Sequence, residues 1–188
     1  MENSQNRGSG GNGYLFEISQ SSEVLIRDSV GVAGRHNFIQ NWGFGTTGCV
    51  FLRTLSEHGE SHMDAEGDLR SVGFSEFHHS LAMANLIDSS VANDGWKAVN
   101  RLFYSSGAGH TATQNVFWNI QGTGSLYSYQ YGHGYVIGST DIEVFTEVSD
   151  VYESHGTTPE DYSEGIGEGN TLHPQSLYED QLRRRLER

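Results

Sequence analysis

Short runs of apolar residues alternating with polar ones recur from residue 13 to residue 149, each bounded by Gly, Ser, Thr or Asn. That pattern predicts β-strands rather than helices. The runs fall into a two-strand unit repeated five times: GYLFEIS (13–19) with EVLIRDSV (23–30), HNFIQN (36–41) with CVFLRTLS (49–56), EFHHSL (76–81) with NLIDSSV (85–91), GHTAT (109–113) with NVFWNI (115–120), and GYVIG (134–138) with IEVFTEV (142–148). One apolar anchor per second strand (Leu25, Phe51, Leu86, Phe117, Val144) gives intervals of 26, 35, 31 and 27 residues. Solenoid repeats span roughly 20–45 residues. The two longest intervals carry insertions, 57–70 and 93–107, and insertions in a solenoid map to loops on one flank.

No segment in this region has the long apolar stripe of a helical repeat, and the unit is shorter than a propeller blade of about 40–50 residues. The expected fold is an all-β, right-handed parallel β-helix of about five coils, with Leu25, Phe51, Leu86 and Phe117 stacked inside. A β-sandwich with turn signals every 8–12 residues or so is the alternative. Residues 1–12 read as a flexible N-terminal segment, 13–150 as the β-helix, and 151–188 as an acidic Gly-rich loop followed by a capping helix. The helix signature is clear: Ser176 and Glu179 form a capping box. Tyr178, Leu182 and Leu186 share one face, and Arg183, Arg184 and Arg185 suit the negative end of the helix dipole. The first coil has no candidate cap, which leaves three readings: coils of a longer solenoid precede it, copies stack end to end through it, or the N-terminal segment folds back over it.

Composition fits this picture. Hydrophobic residues make up 35% of the 188, low for a globular chain but compatible with a narrow core column. The net charge of −13 excludes an ordinary nucleic-acid-binding surface and disfavours polyanionic partners. No apolar run is long enough for membrane insertion, and Met1 to Asn12 lacks a signal-peptide core. With Cys49 the single cysteine, no intrachain disulfide forms.

Among candidate chemistries the histidines stand out. His36, His78, His79, His110 and His133 lie in or beside the first strands of successive copies, and equivalent positions in a parallel stack are about 4.8 Å apart. A column on one outer face is therefore expected, with Arg35, Asn37, Gln40, Trp42, Trp96, Arg101 and Tyr104 nearby. Aromatic platforms beside polar groups suit a sugar ring. A structural polar ladder explains the same pattern. A transition-metal site is a third option, since imidazole suits zinc, copper or nickel, although no HExxH or Cys/His spacing supports it. Asp28 and Asp88 fall near equivalent positions two coils apart, about 9.6 Å by strand spacing, within the range of a glycosidase carboxylate pair. Strand-end Asp residues are also common turn formers. The acidic loop with Glu57, Glu60, Asp64, Glu66 and Asp68 lacks EF-hand spacing, so calcium has no motif behind it and no cofactor is assigned.

The stretches GRHNFIQNWGFG (34–45), SEFHHSL (75–81), SSGAGHTAT (105–113), GYVIG (134–138) and SLYE (176–179) resemble the C-terminal part of a bacterial family of right-handed parallel β-helix, pectate-lyase-like proteins. The resemblance implies a secreted or cell-surface location, membership of a longer protein and a polysaccharide partner. It is specific for fold rather than activity, since the superfamily holds lyases, hydrolases, epimerases and non-catalytic adhesins. The expected function is a carbohydrate-associated module, glycan-binding or structural, with Arg35, His36, Asn37, Gln40, Trp42, Trp96, Tyr104 and His133 as ligand-binding candidates. Two alternatives stand beside it. One is a polysaccharide lyase or glycoside hydrolase using His78, His79, His110, Arg101 and Asp88. The other is a filament subunit stacking through open coil ends.

Overall fold

The computed structural model describes residues 4–7, 13–40, 45–63, 69–71, 73–102, 107–130, 132–146 and 161–188. The chain is mostly β, built from parallel sheets, with one short C-terminal helix. It passes through three sheets in a recurring order. The first sheet holds Tyr14–Ile18, His36–Gln40, Ser75–Phe77, Trp96–Val99, Ser125–Tyr129 and Glu143–Phe145, side by side in sequence order. The second is narrow: Thr46–Thr47, Ala82–Met83 and Ala112–Thr113. The third carries Leu25–Arg27, Val50–Leu52, Leu86–Asp88, Val116–Gln121, Tyr135–Thr140 and Tyr162–Glu164 as one stack. A continuation of its early strands, Val30–Val32, Leu55–Glu57 and Val91–Ala92, pairs in the same order. Apart from a small antiparallel pair, His62–Met63 with Leu69–Ser71, and an antiparallel bridge between Leu102 and Gly109, the pairings among the described residues are parallel.

Register places Ile26, Phe51, Ile87, Phe117 and Val136 in one interior column of the third sheet. All five are buried. Of the anchors expected from sequence, Phe51 and Phe117 stand in this column and the other three do not. Leu25 and Leu86 sit one residue off, on the half-buried outer side, and Val144 belongs to the first sheet opposite Leu126. The second, third and fourth turns have a third segment in the second sheet, so the two-strand unit mixed first-sheet and second-sheet strands. The 112–113 strand of the fourth copy lies in the second sheet, and 96–99, inside the expected second insertion, is a regular first-sheet strand. The first insertion is pinched at its base by Gly59 against Gly73. A Cβ on Gly59 would lie 2.2 Å from the Gly73 carbonyl oxygen. Close backbone approach of this kind admits only glycine.

Two ladders stabilise the stack. Phe16 and Phe38 stack at 4.9 Å, and Trp96 packs edge-on against Phe51 and Phe117 at 5.4 and 6.2 Å, tilted against Phe77 at 5.5 Å. At one corner, side-chain amides serve the backbone of the neighbouring turn. Asn85 Oδ1 accepts from Cys49 N at 2.9 Å, Asn115 Oδ1 from Asn85 N at 3.0 Å, and Gln130 Oε1 from Asn115 N at 2.8 Å. Asp161 closes the ladder by accepting from Ser128 Oγ, Gln130 N and Gly134 N. These groups are buried and paired, as buried polar groups must be.

A bend in the third sheet recurs at one register position. Asp28, Arg53, Ser89, Asn119 and Gly138 all adopt positive φ, from 47° to 72°. The C-terminal segment runs back across this column as a strap. Leu172 abuts Gly138, where a Cβ would lie 2.7 Å from Leu172 Cδ2. Trp118 Nε1 donates to Pro174 O at 2.9 Å and Asn119 Nδ2 to Gln175 O at 3.0 Å. The helix, α1 (Leu177–Leu186), is capped by Ser176, whose Oγ accepts from Glu179 N. Glu179 pairs with Arg53 instead of reaching back to the cap. None of the α1 residues is buried, and Leu186 is 76% exposed, so the expected apolar stripe does not pack inward. At the other end, Gln5–Arg7 pairs with Val30–Val32, so part of the expected flexible segment is a strand along the first turn.

Candidate functional site

The structure brings five of the expected residues together around one that sequence reasoning missed. Glu76 alternates with Ser75 and Phe77 on a first-sheet strand, and its carboxylate is fully buried. Arg101 Nη2 donates to Oε2, and His78 Nδ1 lies 2.5 Å from Oε1. His36 Nε2 is 3.2 Å from the same Oε1. Burial works to raise the Glu76 pKa, but the Arg101 charge, the His78 hydrogen bond and His36 outweigh it and hold the carboxyl well below its usual range. Burial pushes His36 down to about 4, assisted by the charges of Arg35 and His78. Its Nδ1–H donates to Phe74 O at 2.5 Å, which leaves Nε2 as the acceptor for Arg35 Nε at 3.1 Å. The Arg35 guanidinium also lies over the Tyr14 ring, 5.4 Å from its centroid. His79 packs edge-on against His78 at 4.7 Å, and burial and the charges of His78 and Arg101 push it down to about 4.

The cluster is nearly closed. His36 and Glu76 side chains are 2% and 3% exposed, and His78 (12%), Arg101 (18%) and the half-buried Arg35 reach the rim. A polymer cannot approach the carboxylate, and no second carboxylate stands beside it among the described residues. Glycoside hydrolysis with paired carboxylates is not assembled here.

The other expected residues lie elsewhere. The histidine column does not form. His110 is on an exposed turn, its carbonyl accepting from Leu81 N, and His133 sits at a separate turn with its ring 4.9 Å from Tyr135. Trp96 is fully buried and belongs to the core, so it is no sugar platform. Asn37 is buried too. Its Nδ2 donates to Glu57 O at 3.0 Å and Asp94 Oδ2 at 2.7 Å, and Asp94 Oδ1 accepts from Ser56 Oγ at 2.6 Å. Burial raises the Asp94 carboxyl to about 6 despite these bonds. Gln40 is buried with neither amide atom hydrogen-bonded. The Asp28–Asp88 pair dissolves because the two occupy successive register positions. Arg53 and Arg27 neutralise Asp28, the Arg53 bond leading in holding it down to about 2. Asp88 instead accepts from Ser176 Oγ and Tyr178 N as the anchor of the strap. Trp42, Tyr104, Asp64, Glu66 and Asp68 lie outside the described residues.

A second feature lies on the outer face of the third sheet. Val116, Tyr135 and Tyr162 are register partners, as are Trp118, Ile137 and Glu164 two residues on. Tyr135 and Tyr162 are 38% and 46% exposed, with ring centroids 6.4 Å apart. Beside them, Trp118 and Ile137 floor an open groove of about 510 Å³, bordered by Glu164 of the next strand and walled by Glu168, Thr171, Leu172 and His173 of the strap. Its sequence signal was the GYVIG run, read only as a strand. No protein family, curated protein or solved structure matches this chain.

Proposed function

We propose that the chain is a right-handed parallel β-helix module that binds a neutral polysaccharide across the outer face of its third sheet. Right-handedness follows the rule for parallel crossover connections, and the ordered revisiting of three sheets supports a coil of five full turns and a partial sixth. The observation that carries the binding reading is the pair of exposed rings, Tyr135 and Tyr162, on adjacent strands beside a groove floored by Trp118 and Ile137. Pyranose rings offer apolar faces to such rings and hydroxyls to the carboxylates and hydroxyl along the wall. The acidic wall and the chain's net charge of −13 favour a neutral glycan over a uronate polymer. An extracellular or cell-surface setting within a larger protein rests on the family resemblance. Strand Gln5–Arg7 lies along the first turn and lowers the case for stacking through that end.

The test is affinity electrophoresis and calorimetry on neutral β-glucans, xylans and chitin oligosaccharides. Retention on at least one is expected, weakened roughly tenfold in Tyr162→Ala, the scale of a truncated aromatic contact, and further in the double variant with Tyr135→Ala. Absence of retention on every neutral glycan, or equal affinity in the double variant, overturns the reading.

A further inference from the structure

We propose that His36, Glu76 and His78 form a binding site for a divalent transition metal of the zinc, cobalt or nickel class. Their ligand atoms all lie within 4.8 Å of one another, and they form a nearly buried cluster across adjacent first-sheet strands. Two imidazoles and one carboxylate are a donor set for these metals and a poor one for calcium or magnesium, which prefer all-oxygen shells. The His36 Nε2 to Glu76 Oε1 separation of 3.2 Å matches the roughly 3.3 Å between two ligands of a tetrahedral ion with bonds near 2.0–2.1 Å.

A second, independent feature points the same way. His36 donates Nδ1–H to the Phe74 carbonyl, which directs the Nε2 lone pair to the cluster. A backbone carbonyl behind a histidine is how metal-ligating imidazoles are held in tautomer and orientation. Arg101 bonds Oε2 of Glu76, and Oε1 is the oxygen that faces both imidazoles. His78 Nδ1 and Oε1 sit in hydrogen-bond contact at 2.5 Å. An ion would take the place of the shared proton, which leaves to solvent, and His78 would draw back by less than about 1 Å to reach ligand spacing. Arg35 Nε must leave Nε2, and the Tyr14 ring already provides a resting place for its guanidinium. The two guanidiniums oppose a cation locally, whereas the excess of 13 negative charges on the chain favours its approach.

The experiment is titration of chelator-treated protein with Co(II), read by visible d–d absorption, then competition with Zn(II) against a chromogenic chelator. One equivalent of saturable binding is expected, with a band intensity typical of four- or five-coordinate cobalt. Affinity should fall on the order of 100-fold in His78→Ala and His36→Gln, at least the loss seen on removing a mere supporting partner of a ligand. Far-UV circular dichroism checks that both variants keep the fold, and His110→Ala should bind as the parent does. No stoichiometric binding, or equal binding in folded His78→Ala and parent, overturns the assignment. Glycan retention by the tyrosine face is measured separately and does not depend on the result.

Discussion

Asp88→Ala should release the C-terminal helix while leaving the stacked core intact. The Asp88 side chain is fully buried, and burial raises its pKa. Its Oδ2 accepts from Ser176 Oγ at 2.8 Å and from Tyr178 N at 2.7 Å. Hydrogen bonds to a charged group are worth about 1.5–3 kcal/mol each. Ser176 also caps α1, and its hydroxyl is oriented by donating to Asp88, so about 1 kcal/mol of capping is at risk as well. Removing a buried charge recovers part of its desolvation cost, which leaves a net loss of about 3 kcal/mol. A helix of 10 residues with none buried has little stability of its own. The loss therefore falls on local opening, whose equilibrium constant should rise about 100-fold. Hydrogen exchange is the assay. Protection at Asp180 and Glu187, whose amides bond within the helix, should drop by about that factor, while Phe117 and Ile87 stay protected. Asp88→Asn should show a smaller effect, because its amide oxygen can still accept from both donors. Ser176→Ala combined with Asp88→Ala should be less than additive. If helix protection in Asp88→Ala equals that of the parent, Asp88 is no anchor and the reasoning fails.

Two further outcomes follow from buried polar groups. Asp94 has a folded-state pKa of about 6 against an ordinary 3.8, so its protonated form is favoured in the fold. The associated stability is fully present below pH 3.8 and lost as pH rises through 6. The whole loss is about 3 kcal/mol, and the stability gap between the parent and Asp94→Asn in urea titrations should shift by about 2.4 kcal/mol between pH 4 and pH 8. A gap that stays flat over this range would falsify the assignment. Asn115→Ala removes the acceptor of Asn85 N and the donor to Ala82 O in the corner ladder. Leaving such groups unpaired costs about 1–3 kcal/mol each. A denaturant-derived loss of about 3 kcal/mol is expected, and one below about 1 kcal/mol would show that water repairs the ladder.

Much of the stacking was legible because strand residues alternate and turn residues punctuate them. The register was not, and the reason is local. Third-sheet strands carry two adjacent apolar residues, Leu25–Ile26, Val50–Phe51, Leu86–Ile87 and Val116–Phe117. A period of 2 then cannot say which one faces in. The outer one is half-buried rather than exposed, so either choice looks acceptable. Trp96 was readable as core, since Lys97 alternates with Trp96 and Ala98, but its ring was weighed as a sugar platform. The histidines misled because they were aligned by copy. Their real grouping depends on Glu76, which sits two residues before His78, and on the 57–73 excursion that sets where the third turn begins.

The bend column was hidden for a physical reason. Positive φ is signalled by glycine, yet four of the six residues there are Asp28, Arg53, Ser89 and Asn119, with Gly138 and Gly165 the other two. Each position that turns the chain also carries a polar head on the outer face, and these heads hold the strap: Arg53 to Glu179, Ser89 Oγ and Asn119 Nδ2 to Gln175 O. Where the column reaches Gly138, with Gly165 beside it at φ 67°, the absent side chain lets Leu172 come down onto the sheet. The same residues therefore bend the strands and seat the strap that walls the groove over Trp118 and Ile137. Strain of about 1–3 kcal/mol at each non-glycine αL position persists only where surrounding contacts over-determine it. Here the Asp28–Arg53 ion pair and the strap contacts supply that determination, so freeing the strap removes the groove wall and loosens the bends while the buried column beneath stays packed.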